Sequence, residues 1–553
     1  MTDLISNSKV LIADDAPTIR QSLRMTLAQI GINRVDTASS VGETRRRLRN
    51  AEYDVILCDY DFGEGMNGQE LLEEIRRSGE LPLSSVWFMI TAEASYEKVV
   101  AVAEVGPDDY LIKPFTGHQL ITRLQVAWKK KKALQPIFTC IEQDNPLGAI
   151  EAARLLLAQP DIPYKSDLLR LLSTLLIESN QLDEARILFE EILSTRLIPW
   201  AKLGLAKVYN KQGNKTKADQ LLQSSIIENS QYVDAYEELA NMYMNDGRLD
   251  EAMVVFDKCL AITPNNISRL QKAGNLANML GDSGKAKLLL SRAVNCGGNS
   301  SALSANTILQ LAIAAKIEDD LGDAEKYLRM VQERVRKDDT AENRISAHLA
   351  SAIFSGKTED LSKIETSMTG DDFNMELAIS FIMTAHLICP PSNENETPNN
   401  SNPPYRWLAI IAKRFVTTKN ISGILESTAN KRGIWRQFIQ QTGQEITDIN
   451  NTGVQLMLKS KLEEAVTLLV PVAQSTRNSR LTLSAAHASI KYLKTGLADK
   501  DTRTSLLKTA SDLIYRLQGH IEDSILLSLQ ADLDDLLSSK PSTPQENNNS
   551  ATR

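Results

Sequence analysis

The segment Lys9-Val-Leu-Ile-Ala-Asp-Asp15 decides the fold of the amino-terminal part of this chain. It is a short apolar run that ends in polar residues. Three later segments repeat the pattern: Tyr53-Asp-Val-Ile-Leu-Cys-Asp59, Ser85-Val-Trp-Phe-Met-Ile-Thr91 and Asp109-Tyr-Leu-Ile-Lys113. Such runs are typical of strands that are buried on both faces of a parallel sheet. A weaker strand, closed by Thr37-Ala38-Ser39, brings the predicted number to five.

Helix-patterned stretches separate the strands, at residues 16–30, 42–49, 69–77 and 96–104. The alternation of strand and helix predicts a parallel, doubly wound α/β sheet. In such a sheet the functional groups gather at the carboxyl ends of the strands, near the point where the strand order reverses. The polar side chains at those ends are Asp14, Asp15, Asp59, Thr91 and Lys113. The sequence therefore predicts one functional site at this edge of the sheet.

The three carboxylates of this set indicate a metal site. Asp14, Asp15 and Asp59 would repel one another at close range unless a cation lies between them, and Mg²⁺ is held by a few carboxylates together with waters and phosphate oxygens. Phosphoryl transfer needs alignment and charge neutralisation, which the metal, Lys113 and the Thr91 hydroxyl would supply. A carboxylate oxygen of Asp59 would be the nucleophile, and the product an aspartyl phosphate.

A different interpretation is that these five groups are capping and turn residues. Asp and Thr are common at junctions between strands and helices, so this reading suits each position taken singly. The five groups, however, lie at the ends of four different strands. Their coincidence favours a phosphorylation site.

Residues 8–130 resemble the receiver domain of bacterial two-component response regulators. The resemblance implies a flavodoxin-like fold with strand order 2-1-3-4-5 and phosphotransfer from a histidine kinase or a phosphotransfer protein. It also implies that the acidic pair and Asp59 bind Mg²⁺ together with the backbone carbonyl of Asp61. Thr91 and Tyr110 would act as switch residues, and the Lys113–Pro114 bond would be cis, as in other functional X-Pro turns. The loop at residues 61–68 departs from the family pattern, since it is longer and carries an extra Glu64.

A second pattern begins after residue 140. Tyr, Gly and Ala recur 34 residues apart, as Tyr209 and Tyr243, Gly213, Gly247 and Gly281, and Ala218, Ala252 and Ala286. This period and these residue types resemble the tetratricopeptide repeat, a helix-turn-helix unit in which small residues let paired helices approach closely. The spacing of 12 residues from Gly274 to Ala286 returns from Gly453 to Ala465. The rest of the chain is therefore predicted to be an all-α repeat solenoid.

The predicted boundaries follow from these patterns and from composition. Residues near 390–404 and at the carboxyl terminus are too polar and proline-rich to bury a core. The predicted parts are a receiver domain at 1–130, tetratricopeptide repeats at 131–340, a helical continuation at 341–389, a flexible Pro/Asn-rich linker at 390–404, a helical tetratricopeptide-like region at 405–537 and a disordered tail at 538–553.

The repeats indicate how the chain would act on other molecules. Stacked repeats form a concave surface that binds peptides or helices of other proteins. The candidate contact residues are polar positions on the first helix of each repeat: Lys207, Asn210, Lys211, Glu237, Asn241 and Asn245. A phosphorylation-gated adaptor is therefore predicted. The alternative is a receiver-gated regulator with an unrecognised enzymatic output, although no phosphate loop, metal triad or nucleophile motif follows residue 140.

Composition narrows the class of partner and the compartment. A net charge of −8 and the lack of a strongly basic recognition segment argue against DNA binding. The five cysteines have no CxxC spacing, which fits a reducing cytoplasm. The longest apolar stretch, near residues 378–389, is too short and interrupted to span a bilayer, and no signal peptide precedes the first strand, so membrane insertion is not expected.

Overall fold

A computed structural model describes residues 8–63, 66–92, 106–159, 164–196, 198–297, 303–389, 399, 403–429, 432–518, 521 and 523–538. The chain forms two compact units, residues 1–338 and residues 339–553.

The first unit begins with a five-stranded parallel sheet of order β2-β1-β3-β4-β5. The strands are β1 Lys9–Ala13, β2 Arg34–Ala38, β3 Val55–Asp59, β4 Val86–Thr91 and β5 Asp109–Ile112. Every residue of β3 and β4 is buried, because both strands are covered on both faces. The predicted doubly wound fold and its strand order are confirmed.

Helices cover both faces of this sheet. They are α1 Pro17–Ala28, α2 Val41–Asn50, α3 Gly68–Arg77 and α4 Gly117–Glu142. Leu23 of α1 and Leu120 of α4 share a buried apolar cluster with Val10 and Phe88 on one face, whereas Leu48 of α2 and Leu71 of α3 join the cluster on the other. The helix predicted at residues 96–104 lies outside the described part of the chain.

Helix α4 belongs to both the sheet and the repeats. Its first half packs on the sheet through Leu120 and Leu124, while Ile137 and Phe138 near its end lie in the apolar core of the first repeats. The boundary predicted at residue 130 therefore falls inside one continuous helix. The sheet domain and the repeats are joined by this helix.

The repeats of the first unit comprise eleven described helices, each packed against the next along the chain. They are α5 Pro146–Leu157, α6 Lys165–Glu178, α7 Leu182–Thr195, α8 Pro199–Lys211, α9 Lys215–Glu228, α10 Val233–Asn245, α11 Leu249–Ile262, α12 Ile267–Leu280, α13 Ser283–Gly297, α14 Ala305–Ile317 and α15 Leu321–Lys337. Gly213, Gly247 and Gly281 follow the ends of α8, α10 and α12 in the left-handed region, at φ 78°, 73° and 84°. Glycine adopts this conformation without strain, which explains its recurrence every 34 residues.

Small residues let the paired helices approach closely. Ala218, Ala252 and Ala286 have no exposed surface. A Cβ atom added to Gly204 of α8 would lie 2.2 Å from Cζ of Phe189, so the two helices touch through this glycine. The recurring small residues are packing positions, as the sequence pattern predicts.

Gly204→Ala is expected to lower the free energy of unfolding by about 1–3 kcal/mol, because the added methyl group must displace the buried ring of Phe189. Gly322→Ala on α15 is the matched control, since its Cβ would meet open space. Alanine there should leave stability unchanged or raise it by up to about 1 kcal/mol through helix propensity. Urea unfolding followed by circular dichroism measures both changes, and equal effects of the two variants would contradict the close packing.

The second unit is helical throughout its described part. Its helices are α16 Ala341–Ser355, α17 Thr358–Ser362, α18 Met375–Ile388, α19 Tyr405–Phe415, α20 Lys419–Thr428, α21 Gly433–Leu458, α22 Leu462–Thr476, α23 Ser479–Lys494, α24 Lys500–Arg516 and α25 Asp523–Ser538, with a 3₁₀ turn at Ser367–Thr369. A Cβ atom on Gly453 would lie 2.5 Å from Leu469, and Ala465 is fully buried. The helix pair α21–α22 thus repeats the close approach seen in the first unit.

Two predicted segments of the second unit lie largely outside the described residues. Of the predicted linker at 390–404, only Asn399, Pro403 and Pro404 are described. Helix α25 ends at Ser538, so the first residue of the predicted tail is helical, and residues 539–553 are not described. None of the described helices combines the length and the apolar character needed to cross a lipid bilayer.

Candidate functional site: an acidic pocket at the strand ends

The carboxyl ends of the central strands bring the predicted site residues together. Asp14 follows β1, while Asp59 and Thr91 are the last residues of β3 and β4. Parallel register places these strand ends side by side, with Asp59 next to Ile90 and Thr91 next to Ile112. Asp14 and Thr91 are each 1% exposed and Asp59 is 6% exposed, whereas Asp15 is exposed to solvent.

Lys113 contacts two carboxylates of this pocket. Its Nζ donates hydrogen bonds to Oδ2 of Asp59 at 2.8 Å and to Oδ2 of Asp14 at 3.2 Å. Burial lowers the pKa of Lys113, but its pairing with Asp59 and Asp14 outweighs that effect and raises it. The lysine therefore remains protonated and neutralises one of the negative charges.

One lysine leaves the pocket with excess negative charge. Burial raises the pKa of Asp59 to about 6, against the opposing effect of Lys113 and with a further contribution from the charge of Asp14. One carboxylate oxygen from each of Asp14, Asp15 and Asp59 lies within 4.8 Å of the others. Two ligands on opposite sides of an octahedral Mg²⁺ ion are about 4 Å apart, so the three oxygens lie near the separation that one such ion requires.

The loop after β3 holds Asp61. Its side chain is exposed and accepts a hydrogen bond from the backbone N–H of Gly63 at 2.8 Å. The carboxylate of Asp61 thus stabilises the loop. The group of Asp61 that the family resemblance assigns to the metal is its backbone carbonyl. Glu64, the extra acidic residue of this loop, lies outside the described residues.

Tyr110 and Lys113 lie at the edge of the sheet that β5 forms. Tyr110 is half-buried, and the guanidinium carbon of Arg123 lies 5.1 Å from the centre of its ring. The Lys113–Pro114 peptide bond is cis, as the resemblance implies. Tyr110 lies three residues before Lys113, which is where the resemblance places the switch aromatic.

Two further residues, Arg20 and Gly68, shape this site. Arg20 of α1 donates hydrogen bonds to the backbone carbonyls of Asp14 and Asp15, at 2.6 and 2.9 Å, and so fixes the acidic pair. A Cβ atom on Gly68, the first residue of α3, would lie 2.1 Å from the backbone oxygen of Asp59. The sequence offers a clue to one of them. Asn67 and Glu70 form a capping box, a pattern that marks the start of α3 and hence the position of Gly68.

Asp59→Asn is expected to stabilise the chain in the absence of metal. The pKa of Asp59 is about 6 in the folded chain and about 3.9 in an unfolded one, so the folded state holds the proton more tightly. Protonation of Asp59 therefore stabilises the folded state. This stabilisation is complete below about pH 4 and is lost as the pH rises through about 6. At about pH 7.5 with EDTA, the variant should gain about 1–3 kcal/mol in free energy of unfolding, and less at about pH 5.

Urea titrations that follow the fluorescence of the buried Trp87 in β4 measure this difference. Glu52→Gln, which removes an exposed carboxylate at the opposite edge of the sheet, is the control and should leave the free energy unchanged. If the Asp59→Asn variant is no more stable than the parent chain in the absence of metal, the pocket does not hold excess negative charge.

Comparison with known proteins agrees with the fold. The family profile for the response regulator receiver domain matches residues 10–125, and that for the tetratricopeptide repeat matches residues 233–266. The chain is 33% identical over 127 residues to chemotaxis protein CheY-3 of Vibrio cholerae, which corresponds to 23% of this chain and 96% of that protein.

Two solved structures are similar to separate parts of the chain. A CheY-like receiver domain protein from Methanospirillum hungatei is 27% identical, with a TM-score of 0.21, over 23% of this chain and 96% of the other. The carboxy-terminal part of a tetratricopeptide repeat-containing protein from Cytophaga hutchinsonii is 15% identical, with a TM-score of 0.33, over 47% of this chain and 96% of the other. Because nearly the whole of CheY-3 is matched at 33% identity, the chain belongs to the response regulator receiver family, with tetratricopeptide repeats after its receiver domain.

Proposed function

We propose that Asp59 accepts a phosphoryl group in a two-component phosphorelay and that its phosphorylation controls protein binding by the repeats. The convergence of Asp14, Asp15 and Asp59 with Lys113 at one strand edge carries this proposal. The donor would be a phosphohistidine of a histidine kinase or of a phosphotransfer protein. The five thiols are free, which supports a reducing cytoplasm as the compartment.

The step is a displacement at phosphorus. A carboxylate oxygen of Asp59 attacks the phosphorus atom, the P–N bond to the donor histidine breaks, and the imidazole leaves with the bonding electron pair and takes up a proton. Asp14, Asp15, Asp59 and the Asp61 carbonyl would hold Mg²⁺, which supplies positive charge to the phosphoryl oxygens. Lys113 lies 2.8 Å from Asp59 and is placed to contact the same oxygens.

Thr91 would couple phosphorylation of Asp59 to a conformational change in the rest of the receiver. Its hydroxyl lies at the end of β4, beside the end of β3, where it can donate to a phosphoryl oxygen on Asp59. Movement of Thr91 toward that group would leave room for Tyr110 of β5 to turn inward. Phosphorylation would thereby shift the equilibrium between two receiver conformations.

The repeats offer a groove of about 600 Å³ for a protein ligand. Trp200 lies in this groove, and the guanidinium of Arg170 lies 5.9 Å from the centre of its ring. Lys207 and Asn241, two of the predicted contact residues, also line it. A groove that holds an aromatic side chain among polar groups suits a peptide or a helix of another protein.

Affinity capture tests the control of binding. The full chain is immobilised with Mg²⁺, with and without beryllium trifluoride, which forms a stable mimic of the aspartyl phosphate. We expect at least one protein from a lysate of the cells that produce the chain to change in amount about tenfold or more, which corresponds to about 1.4 kcal/mol of coupling. The change should disappear in Asp59→Ala. A set of captured proteins that does not respond to beryllium trifluoride would contradict control by phosphorylation.

A further inference from the structure

The receiver and the repeats share a polar interface that the sequence did not predict. Helix α3 of the receiver lies against the start of α12, and Ile267 of α12 belongs to the same buried apolar cluster as Leu71 and Ile75 of α3. Beside this apolar contact, three charged side chains of α3 point to the repeats: Glu70, Glu73 and Arg77. Their spacing of three and four residues places them on one face of the helix.

Arg269 of α12 is at the centre of this interface. It has no exposed surface, and it pairs with Glu73 of α3 at 3.0 Å and with Glu237 of α10 at 2.9 Å. Arg77 of α3 adds a two-pronged contact to the same Glu237, with both hydrogen bonds at 3.2 Å. A fully buried guanidinium is tolerated only while its carboxylates stay in place. The interface is therefore sensitive to small displacements of α3.

The contacts of Glu70 connect this interface to the acidic pocket. One oxygen of Glu70 accepts a hydrogen bond from the backbone N–H of Asn265 at 3.0 Å, and the other accepts from the N–H of Asn67 in the capping box of α3. Gly68, the next residue, packs directly on the backbone oxygen of Asp59, and its N–H donates to the carbonyl of Tyr60 at 2.7 Å. A continuous series of contacts thus runs from the predicted phosphoacceptor to the repeats.

The interface is not a closed apolar core. A cavity of about 370 Å³ lies between α3 and α12, lined by Glu70, Arg77, Ile267 and Gln271 among others. Helix α2 adds two more polar contacts, as Arg45 donates to the carbonyls of Cys296 and Gly297, at 3.2 and 3.4 Å, at the end of α13. Polar interfaces of this kind resemble those of transient complexes. Separation of α3 would expose Ile267 and would leave Arg269 paired with Glu237 and Asp234 of the repeats.

We infer that α3 occupies a protein-binding surface of the repeats, built around Glu237 and Arg269, and that phosphorylation of Asp59 releases it. The inference rests on the proposed function of Asp59. The ligand that takes the place of α3 would be an amphipathic helix of a partner protein with two carboxylates three residues apart and an arginine four residues further on. Glu237, a predicted contact residue, is in this state engaged by Arg77, Arg269 and Lys272.

Hydrogen exchange of the full chain tests the release. The N–H of Asn265 is bound to Glu70, so peptides that cover residues 263–272 report on the interface directly. With Mg²⁺ and beryllium trifluoride, exchange in these peptides should become at least about tenfold faster, while peptides of α23 should not change. Unchanged or slower exchange, in a chain whose Asp59 is fully modified, would overturn the inference and leave phosphorylation itself intact. A chain that takes up no phosphoryl group at Asp59 would instead refute the proposed function.

Charge reversal provides a second test that does not depend on phosphorylation. The side chain of Arg77 is 33% exposed, so Arg77→Glu should fold and still lose its contact with Glu237. We expect fast exchange at residues 263–272 without beryllium trifluoride in this variant, and slower exchange in Arg77→Lys. Arg46→Glu, a reversal on the exposed side of α2, should behave as the parent chain does. Equal exchange in Arg77→Glu and Arg46→Glu would show that α3 is not held by these charges.

Discussion

Asp59→Ala is expected to abolish uptake of a phosphoryl group by the chain. Asp59 supplies the nucleophilic oxygen, and no other carboxylate of the described pocket is hydrogen-bonded to Lys113 at so short a distance, 2.8 Å. Incubation with Mg²⁺ and acetyl phosphate, followed by intact-mass spectrometry, should show one phosphoryl group on the parent chain and none on the variant. The expected loss exceeds about 1,000-fold, since a covalent step without its nucleophile has no substitute.

Glu52→Gln serves as the control for this result, because it removes an exposed carboxylate of the receiver away from the strand ends. It should be labelled as the parent is. Persistent labelling of Asp59→Ala would refute the assignment of the phosphoacceptor, and loss of labelling in both variants would show that the assay reports folding.

Removal of Mg²⁺ is expected to have the second largest effect. Without a divalent ion, the carboxylates of Asp14, Asp15 and Asp59 face the phosphoryl oxygens with Lys113 as the neutralising group. Metal ions contribute several kcal/mol to such steps, so EDTA should slow labelling by at least about 100-fold. Added Mg²⁺ should restore the rate. Labelling that proceeds equally well in EDTA would contradict the metal site.

Asp15→Asn separates the metal from the rest of the pocket. Asp15 is the exposed member of the acidic set and has no contact with Lys113 among the described hydrogen bonds. We expect this variant to need about 10- to 100-fold more Mg²⁺ for half-maximal labelling and to reach a similar rate at saturation. A variant with unchanged Mg²⁺ dependence would remove Asp15 from the ligand set.

The sheet and the pocket were predictable because they depend on local patterns. Each buried strand is an apolar run that ends at a polar group, and parallel topology alone brings Asp14, Asp59 and Thr91 to one edge. The 34-residue recurrence of Gly213 and Gly247 likewise has a local cause, since each glycine ends a helix in the left-handed region. Sequence patterns of this kind report secondary structure and the topology that follows from it.

The receiver–repeat interface could not be predicted in the same way. Glu73 and Arg269 are 196 positions apart in sequence, and their contact depends on the accumulated rotation of the repeats between them. Their residue types do not indicate a buried contact, because charged residues on predicted helices are usually exposed to solvent. The hydrogen bonds that join α2 and α3 to the repeats, through Arg45, Glu70, Glu73 and Arg77, therefore had no counterpart in the sequence patterns.

The boundary at residue 130 shows a related limit. Within the basic run at residues 129–132, Lys131 is largely buried and donates to the carbonyl of Leu83 at 2.7 Å. Helix α4 continues because Leu134, Ile137 and Phe138 find apolar partners in the repeats. Composition alone does not show such tertiary contacts.

Identification of the phosphorylated residue in the intact chain tests the central claim most directly. After treatment with Mg²⁺ and acetyl phosphate, borohydride converts an aspartyl phosphate into homoserine, which peptide mass spectrometry locates. We predict homoserine at position 59, within the peptide that contains β3, and no conversion in a sample treated with EDTA. Homoserine at another position, or none in a fully folded chain, would contradict the account.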